Sequence, residues 1–290
     1  MKKIIDRLYD RVAQVGHVCV GLDTDLSYLP NDFLAGYSSP YEALYAFNKE
    51  IIDHTLDISA VYKVQIAYYE ALGMGGMQVY TDTLRYLRQN GAIIIADVKR
   101  GDIAKTAEMY AKGHFSGDFE ADFITVNPYM GMDTLTPFFP YLTSGEKGLF
   151  TLVATSNPGA SDIEGIIAAD GESVSEKTGA MLSKLGQRFE GDCGYSAIGA
   201  VVGCTNRQQT TRIRQRLPNT FFLIPGYGAQ GGTASDMATC LKDGNGGVVN
   251  SSRGILLARK KEQFSHLPFA EAAREEALRM RDEILRAVSI

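Results

Sequence analysis

Cysteine, histidine and proline are scarce in this chain: four, four and nine residues among 290. The cysteines (Cys19, Cys193, Cys204, Cys240) form no C-x-x-C pair, and Cys19 and Cys204 lie inside apolar runs. They read as free, buried thiols of a reducing compartment, which excludes a disulfide framework. The histidines (His17, His54, His114, His266) include no pair with zinc-ligand spacing, so no metal site is expected. His17 opens the first strand, and the others fall in helical or exposed stretches, so none is given a catalytic role. No apolar run approaches the roughly 18 residues of a membrane span. The N-terminus, Met1-Lys2-Lys3-Ile4-Ile5-Asp6-Arg7, turns charged too soon for a signal peptide. A soluble, cytoplasmic protein is expected. Basic clustering is also missing: net charge is −5, and Arg212, Arg214 and Arg216, the densest group, read as a solvated helix face. A polymeric nucleic acid is thereby excluded as partner.

What is present is an ordinary globular composition, 45% hydrophobic and 22% charged, which excludes dominant disorder. Short β-branched runs recur at 17–23, 60–65, 92–99, 122–129, 148–156, 197–205, 221–227 and 246–253. Helical periodicity fills the intervals, with Leu44, Phe47 and Ile51 in one and Ala273, Ala277, Met280 and Ile284 in the last. No linker or low-complexity segment divides the eight units. The expected fold is therefore a single-domain (β/α)₈ barrel over residues 1–290, in preference to a doubly wound sheet.

A barrel places its chemistry at the C-terminal ends of its strands. Asp23, Lys63, Asp97, Lys99, Asn127, Ser156 and Arg253 all fall there. The most informative run is 93–103, IIIADVKRGDI. Strand alternation puts Ile93, Ile95, Asp97 and Lys99 on one face and apolar Ile94, Ala96 and Val98 on the other. An acid and a base ending an apolar lumen face suit a site better than a surface ion pair. Lysine between carboxylates stays protonated, which disfavours Schiff-base chemistry and suits a fixed cation that protonates a carbanion. Lys63, by itself compatible with a snorkelling surface residue, extends the array with Asp97, Lys99 and Asp102.

Residues 225–232, PGYGAQGG, contain G-x-G-x-x-G at Gly226, Gly228 and Gly231. A dinucleotide site would place this in the first βα unit and put an acid about 20 residues on. Neither holds here. Loops after strands 7 and 8 of a barrel commonly cradle phosphate, so a phosphomonoester site is favoured, built from Gly231, Gly232, Gly254 and the Arg253 guanidinium. A plain turn is the remaining alternative.

Asp97-x-Lys99-x-x-Asp102-Ile103, Lys63, Gly21-Leu22-Asp23, Thr155-Ser156-Asn157-Pro158-Gly159 and the 225–232 loop with Arg253 together resemble the orotidine 5′-phosphate decarboxylase family in its longer bacterial form. The resemblance covers essentially the whole chain. It implies cofactor-free decarboxylation of orotidine 5′-monophosphate to UMP, the last step of de novo pyrimidine nucleotide synthesis, on a homodimer with sites shared across the interface. By the same resemblance, Lys99 is the proton donor to C6, Asp97 sits near the departing carboxylate, and Lys63 organises Asp97 and the ribose. Asp102 and Thr106 act in the partner's site, Thr106 and Asp23 on ribose hydroxyls. Ser156 contacts the pyrimidine, and Gln230 and Arg253 the phosphate. Arg100-Gly101 and Ala104-Lys105 depart from shorter members while keeping the charged positions. The chemistry is consistent: loss of CO₂ leaves a vinyl carbanion with no adjacent π system, so its stabilisation must be electrostatic. The 157–176 stretch and the 226–232 loop are candidate lids. Two alternatives share the fold: a Mg²⁺-dependent 3-keto-gulonate-phosphate decarboxylase, and a non-catalytic sugar-phosphate-binding barrel.

Overall fold

A computed structural model describes residues 2–204, 206–228 and 231–288. Eight parallel strands form a closed barrel in chain order: β1 (Val18–Gly21), β2 (Val61–Gln65), β3 (Ile94–Arg100), β4 (Phe123–Val126), β5 (Gly148–Ala154), β6 (Ser196–Val202), β7 (Thr220–Ile224) and β8 (Gly247–Ser251). The seam closes by pairing Val18, Cys19 and Val20 with Val249, Asn250 and Ser251. All eight strand runs in the sequence are strands of this barrel.

The surrounding helices form where the periodicity places them. Pro40–Thr55 opens on Ser39, whose side chain accepts from the Glu42 amide, with Pro40 in the first turn. Its Leu44, Phe47 and Ile51 are fully buried. The last helix, Phe269–Val288, buries Ala273, Ala277, Met280 and Ile284 in the same way. Among the described residues no helix is long and apolar enough to cross a membrane.

The helix Ile4–Val15 precedes the barrel and lies across its N-terminal end. The Ile4 amide donates to the Gly145 carbonyl, and Arg11 donates to the Leu56 and Ser59 carbonyls. Asp6 accepts from the Cys193 amide, and Asn245 donates to the Tyr9 carbonyl. These partners sit in the loops entering β2, β5, β6 and β8, so the helix plugs that end and leaves the C-terminal mouth for chemistry.

Two expectations need correction, at Arg214 and at Cys193. Arg214 is not on a solvated face: it is 7% exposed, lies 3.8 Å from the Phe222 ring centroid, and donates to the Thr220 carbonyl. A guanidinium's planar, weakly hydrated surface permits that burial, with its two terminal nitrogens donating to backbone carbonyls and its face against the ring. His114 lies in a helical stretch as expected, and is buried there with its Nε2 accepting from Arg100 Nε at 3.2 Å. Of the four free cysteines, Cys193 is only half-buried.

Candidate active site

The strand ends bring Asp23, Lys63, Asp97 and Lys99 into one array. Lys63 Nζ lies 2.7 Å from Asp23 Oδ1 and 3.2 Å from Asp97 Oδ2, and Lys99 Nζ lies 2.6 Å from Asp97 Oδ1. Gln65, two residues beyond Lys63 on the same face of β2, donates to Asp97 Oδ2 at 2.9 Å. Ser252 donates to Asp23 Oδ2 at 2.8 Å. Burial alone would raise the Asp97 pKa, but the charges of Lys63 and Lys99 overcome it and hold the carboxyl at about 2. Burial likewise opposes the Lys63 ammonium, and Asp23 and Asp97 reverse the effect and raise its pKa. Each buried ion is thus kept charged by neighbours of opposite sign. The Lys99 side chain differs from the others in being 47% exposed. It is the cation of the array that reaches outward.

Simple strand alternation does not deliver Lys99 to that position. Between the pairs Ala96–Ile124 and Arg100–Val126 the register of β3 against β4 shifts, so three residues of β3 oppose Thr125 alone. Lys99 takes a left-handed backbone with φ of 43°, an uncommon state for a residue with a Cβ. Thr125 Oγ1 accepts from the amides of Val98 (2.9 Å) and Lys99 (2.8 Å) and donates to Asp97 Oδ1 at 2.8 Å. One buried hydroxyl therefore ties the irregular backbone to the carboxylate that pairs with Lys99.

This array floors a cleft of about 370 Å³ whose opposite wall is Pro225, Gly226, Tyr227 and Arg253, with Tyr28 and Tyr68 at its rim. Gly21 is required beneath it, because a Cβ there would lie 1.9 Å from Ser252 Oγ. Arg253 is exposed at the head of the short helix Arg253–Leu256 and forms no ion pair among the described residues. Gly254 follows it, against Ser251. The glycine-rich loop is closed on itself. Gly228 N donates to Gly232 O, Gly231 N to Gly228 O, and Gly232 N to Gly226 O. The amides of Gly231 and Gly232 are thus engaged within the loop in this conformation. Gln230 lies outside the described residues.

Asp102, Thr106 and Ser156 do not line this cleft. Asp102 Oδ1 accepts from the Ile103 amide at 2.8 Å, and Thr106 is exposed in the first turn of the helix Ala104–Phe115. Ser156 packs close to Gly203, where a Cβ would lie 2.9 Å from the Ser156 Cβ. Around them Ile103, Met109, Tyr129 and Met130 are exposed, and an apolar groove of about 840 Å³ runs beside Tyr129, Met132, Ile163 and Met181. The segment after Ser156 is tied down by Glu164, which accepts from both the amide and the hydroxyl of Thr155.

Sequence reasoning missed Gln65, Thr125, Ser252 and the two rim tyrosines. Gln65 was within reach, since it shares the Lys63 face at the next alternate position. Thr125 was not, because its role depends on a register shift between strands. A further cleft of about 720 Å³ lies at the opposite end, lined by Arg7, Asp10, Arg11, Asp53 and Asp57. Asp10, Asp53 and Asp57 are paired with Lys2, Lys49 and Arg274, and it lies far from the array. Among the described residues no three His, Cys, Asp or Glu side chains are grouped to hold a metal ion.

Comparison with known proteins identifies the family. The profile of the family described as orotidine 5′-phosphate decarboxylase / HUMPS matches residues 16–265. An orotidine 5′-phosphate decarboxylase of Clostridium perfringens (strain SM101 / Type A) is 58% identical over 285 residues, covering 98% of this chain and 99% of its own length. The solved structure of Leishmania donovani OMP decarboxylase superimposes with a TM-score of 0.79 at 27% identity, covering 99% of this chain and 100% of that one. The longer UMP synthase of the same organism matches at 0.79 and 29% identity, with this chain spanning 57% of its length. The chain belongs to the orotidine 5′-phosphate decarboxylase / HUMPS family.

Proposed function

We propose that the chain is a carboxy-lyase converting orotidine 5′-monophosphate to UMP, with Lys99 as the proton donor. The observation that carries this is the Lys63–Asp97–Lys99 array, in which the buried Lys63 and the half-exposed Lys99 flank one buried carboxylate and Lys99 opens onto the cleft. The C6–carboxylate bond breaks, CO₂ leaves, and the electron pair stays on C6. The fixed Lys99 ammonium stabilises that pair electrostatically before reaction begins. Its proton then passes to C6, and the neutral amine recovers one from solvent. Asp97 holds Lys99 in place, Lys63 holds Asp97, and Asp23 with Lys63 faces the ribose. Arg253 and Gly254, with the 225–232 loop, receive the phosphate, remote from the reacting carbon, so its binding energy orients the ring. Gly231 and Gly232 join that contact once their amides turn outward. No cofactor is called for. The place between Asp23 and Asp97 that a divalent cation would take is filled by the Lys63 ammonium, which argues against the Mg²⁺-dependent alternative.

Asp102, Thr106 and Ser156 lie outside the cleft of their own chain. We read Asp102 and Thr106 as completing the site of a second copy, with the exposed Ile103, Met109, Tyr129 and Met130 forming the contact, and Ser156 as meeting the pyrimidine when the following segment closes. The free thiols support a reducing, cytoplasmic setting.

The test is the loss of ultraviolet absorbance as substrate is consumed, for wild type and Lys99→Ala, after exhaustive EDTA treatment. Wild type should remain active and Lys99→Ala should be silent. Turnover surviving within about tenfold, roughly 1.4 kcal/mol of barrier, would remove Lys99 as the donor, and a Mg²⁺ requirement would overturn the reaction class. Mixing Asp102→Ala with Lys99→Ala should restore about one working site per heterodimer. Heterodimers that form without recovering activity would place the whole site in one chain.

A further inference from the structure

We propose that Tyr227 and Glu283 are positioning residues, and that through them the C-terminal helix Phe269–Val288 sets the geometry of the phosphate-binding loops. The inference rests on the reading that the 225–232 loop and Arg253 receive the phosphate. Tyr227 is 5% exposed and lines the cleft. It is flanked by Gly226 and Gly228, both in left-handed conformations with φ of 103° and 69°, so the loop has little stiffness of its own. Its hydroxyl donates to the Glu283 carboxylate. Glu283 Oε1 accepts from Arg279 at 2.5 Å. Arg279 in turn holds Glu276 with two parallel bonds, of 2.9 and 2.6 Å. Lys261, eight residues beyond Arg253 on the other arm of the cradle, lies 2.8 Å from the same Glu276.

The two arms thus meet on one helix: the loop after β7 through Tyr227 and Glu283, the segment after β8 through Lys261 and Glu276, with Arg279 joining them. The Glu276 side chain is 3% exposed. Burial would raise its pKa, but its bonds to Arg279 and Lys261 win and lower it. A buried carboxylate with two cations is a weak way to gain stability compared with apolar packing. What it supplies is direction, because a bidentate Arg–carboxylate pair and a charge-assisted Tyr–carboxylate bond each fix an angle as well as a distance. Pre-ordering of the loop lowers the cost of binding and leaves the chemical step alone.

The test uses the full-length protein with Tyr227→Phe, Glu283→Ala and Glu283→Gln, measuring KM and kcat for orotidine 5′-monophosphate, competition by UMP and by uridine, and thermal unfolding. Tyr227→Phe and Glu283→Ala should raise KM about tenfold, ~1.4 kcal/mol, with kcat within about twofold. Inhibition by UMP should weaken by the same factor while inhibition by uridine, which has no phosphate, holds. Glu283→Gln keeps an acceptor and should lie nearer wild type. Equal weakening of UMP and uridine, or a fall in kcat, would reduce the network to general support and overturn the proposal, as would no change at all. If Glu283→Ala does not fold, Tyr227→Phe, which removes one oxygen, decides alone. Wild-type protein that neither turns over the substrate nor binds UMP would instead sink the proposed function.

Discussion

Thr125→Val removes one oxygen from the candidate active site while keeping a branched side chain of nearly the same shape. The hydroxyl is 1% exposed and makes three hydrogen bonds. Two amides already point at it, so its own proton is committed to Asp97. With valine, the buried amide of Val98 and the partly buried amide of Lys99 lose their acceptor, and Asp97 loses a donor. An unmet buried polar group costs about 1–3 kcal/mol, so a stability loss of about 3 kcal/mol is expected. A second effect falls on catalysis. The left-handed backbone of Lys99 costs about 1–2 kcal/mol for a residue with a Cβ, and the Thr125 bonds are what hold it there. Once released, relaxation that favours the ordinary conformation by ~1.4 kcal/mol leaves a tenth of molecules with Lys99 poised. The expected result is a fall in kcat of at least about tenfold with KM little changed, because orientation of the proton donor is lost and phosphate binding is not. Thr125→Ser keeps the oxygen and should restore most of the rate. Initial rates of absorbance loss, with urea unfolding on the same samples, measure both effects. A Thr125→Val protein within twofold of wild type in kcat, and equally stable, would show that something other than Thr125 holds the turn at Lys99.

The barrel was legible because parallel strands buried on both faces leave continuous β-branched runs, and all eight appeared in the right places. Their ends were less so. The run at 122–129 stops being a strand after Val126: the Asn127 amide still donates to the Arg100 carbonyl, and Pro128 then has no amide to continue the ladder. The charged array was legible because alternation brings Asp97, Lys63 and Gln65 to one side, and polar residues ending apolar strands have few places to go. The turn at Lys99 was hidden, because register is a relation between two strands and leaves no mark in either one. Long-range partners were hidden for the same reason. Tyr227 and Glu283 lie 56 residues apart, and nothing local to either names the other. Arg214 was misread because composition describes a segment, whereas its burial depends on the Phe222 ring that β7 presents beneath it.

Two further perturbations test the scaffold around the array. At Gly101 an added Cβ would lie 2.9 Å from the Asn127 carbonyl oxygen, so Gly101→Ala must push the β3 and β4 ends apart. It should cost about 1–3 kcal/mol and lower kcat, since Lys99 is two residues away; an alanine variant as active and stable as wild type would show that the two loops separate freely. Acid sensitivity is the other test, and it centres on His114. Burial, and secondarily the Arg100 charge, lower its pKa to about 4, against about 6.5 when unfolded. The unfolded chain therefore takes up this proton first, so stability is complete above pH ~6.5, falls as pH drops toward 4, and levels off below. Between pH 7 and 5 this group alone accounts for about 2 kcal/mol, at 1.36 kcal/mol per pH unit. His114→Gln should flatten that window in urea unfolding, whatever its effect at pH 7. His17 is shifted in the same direction but is present in both proteins, so the difference between their slopes isolates His114. Parallel slopes would mean that the imidazole is not held neutral by its surroundings, and that the Arg100–His114 contact opens before the fold does.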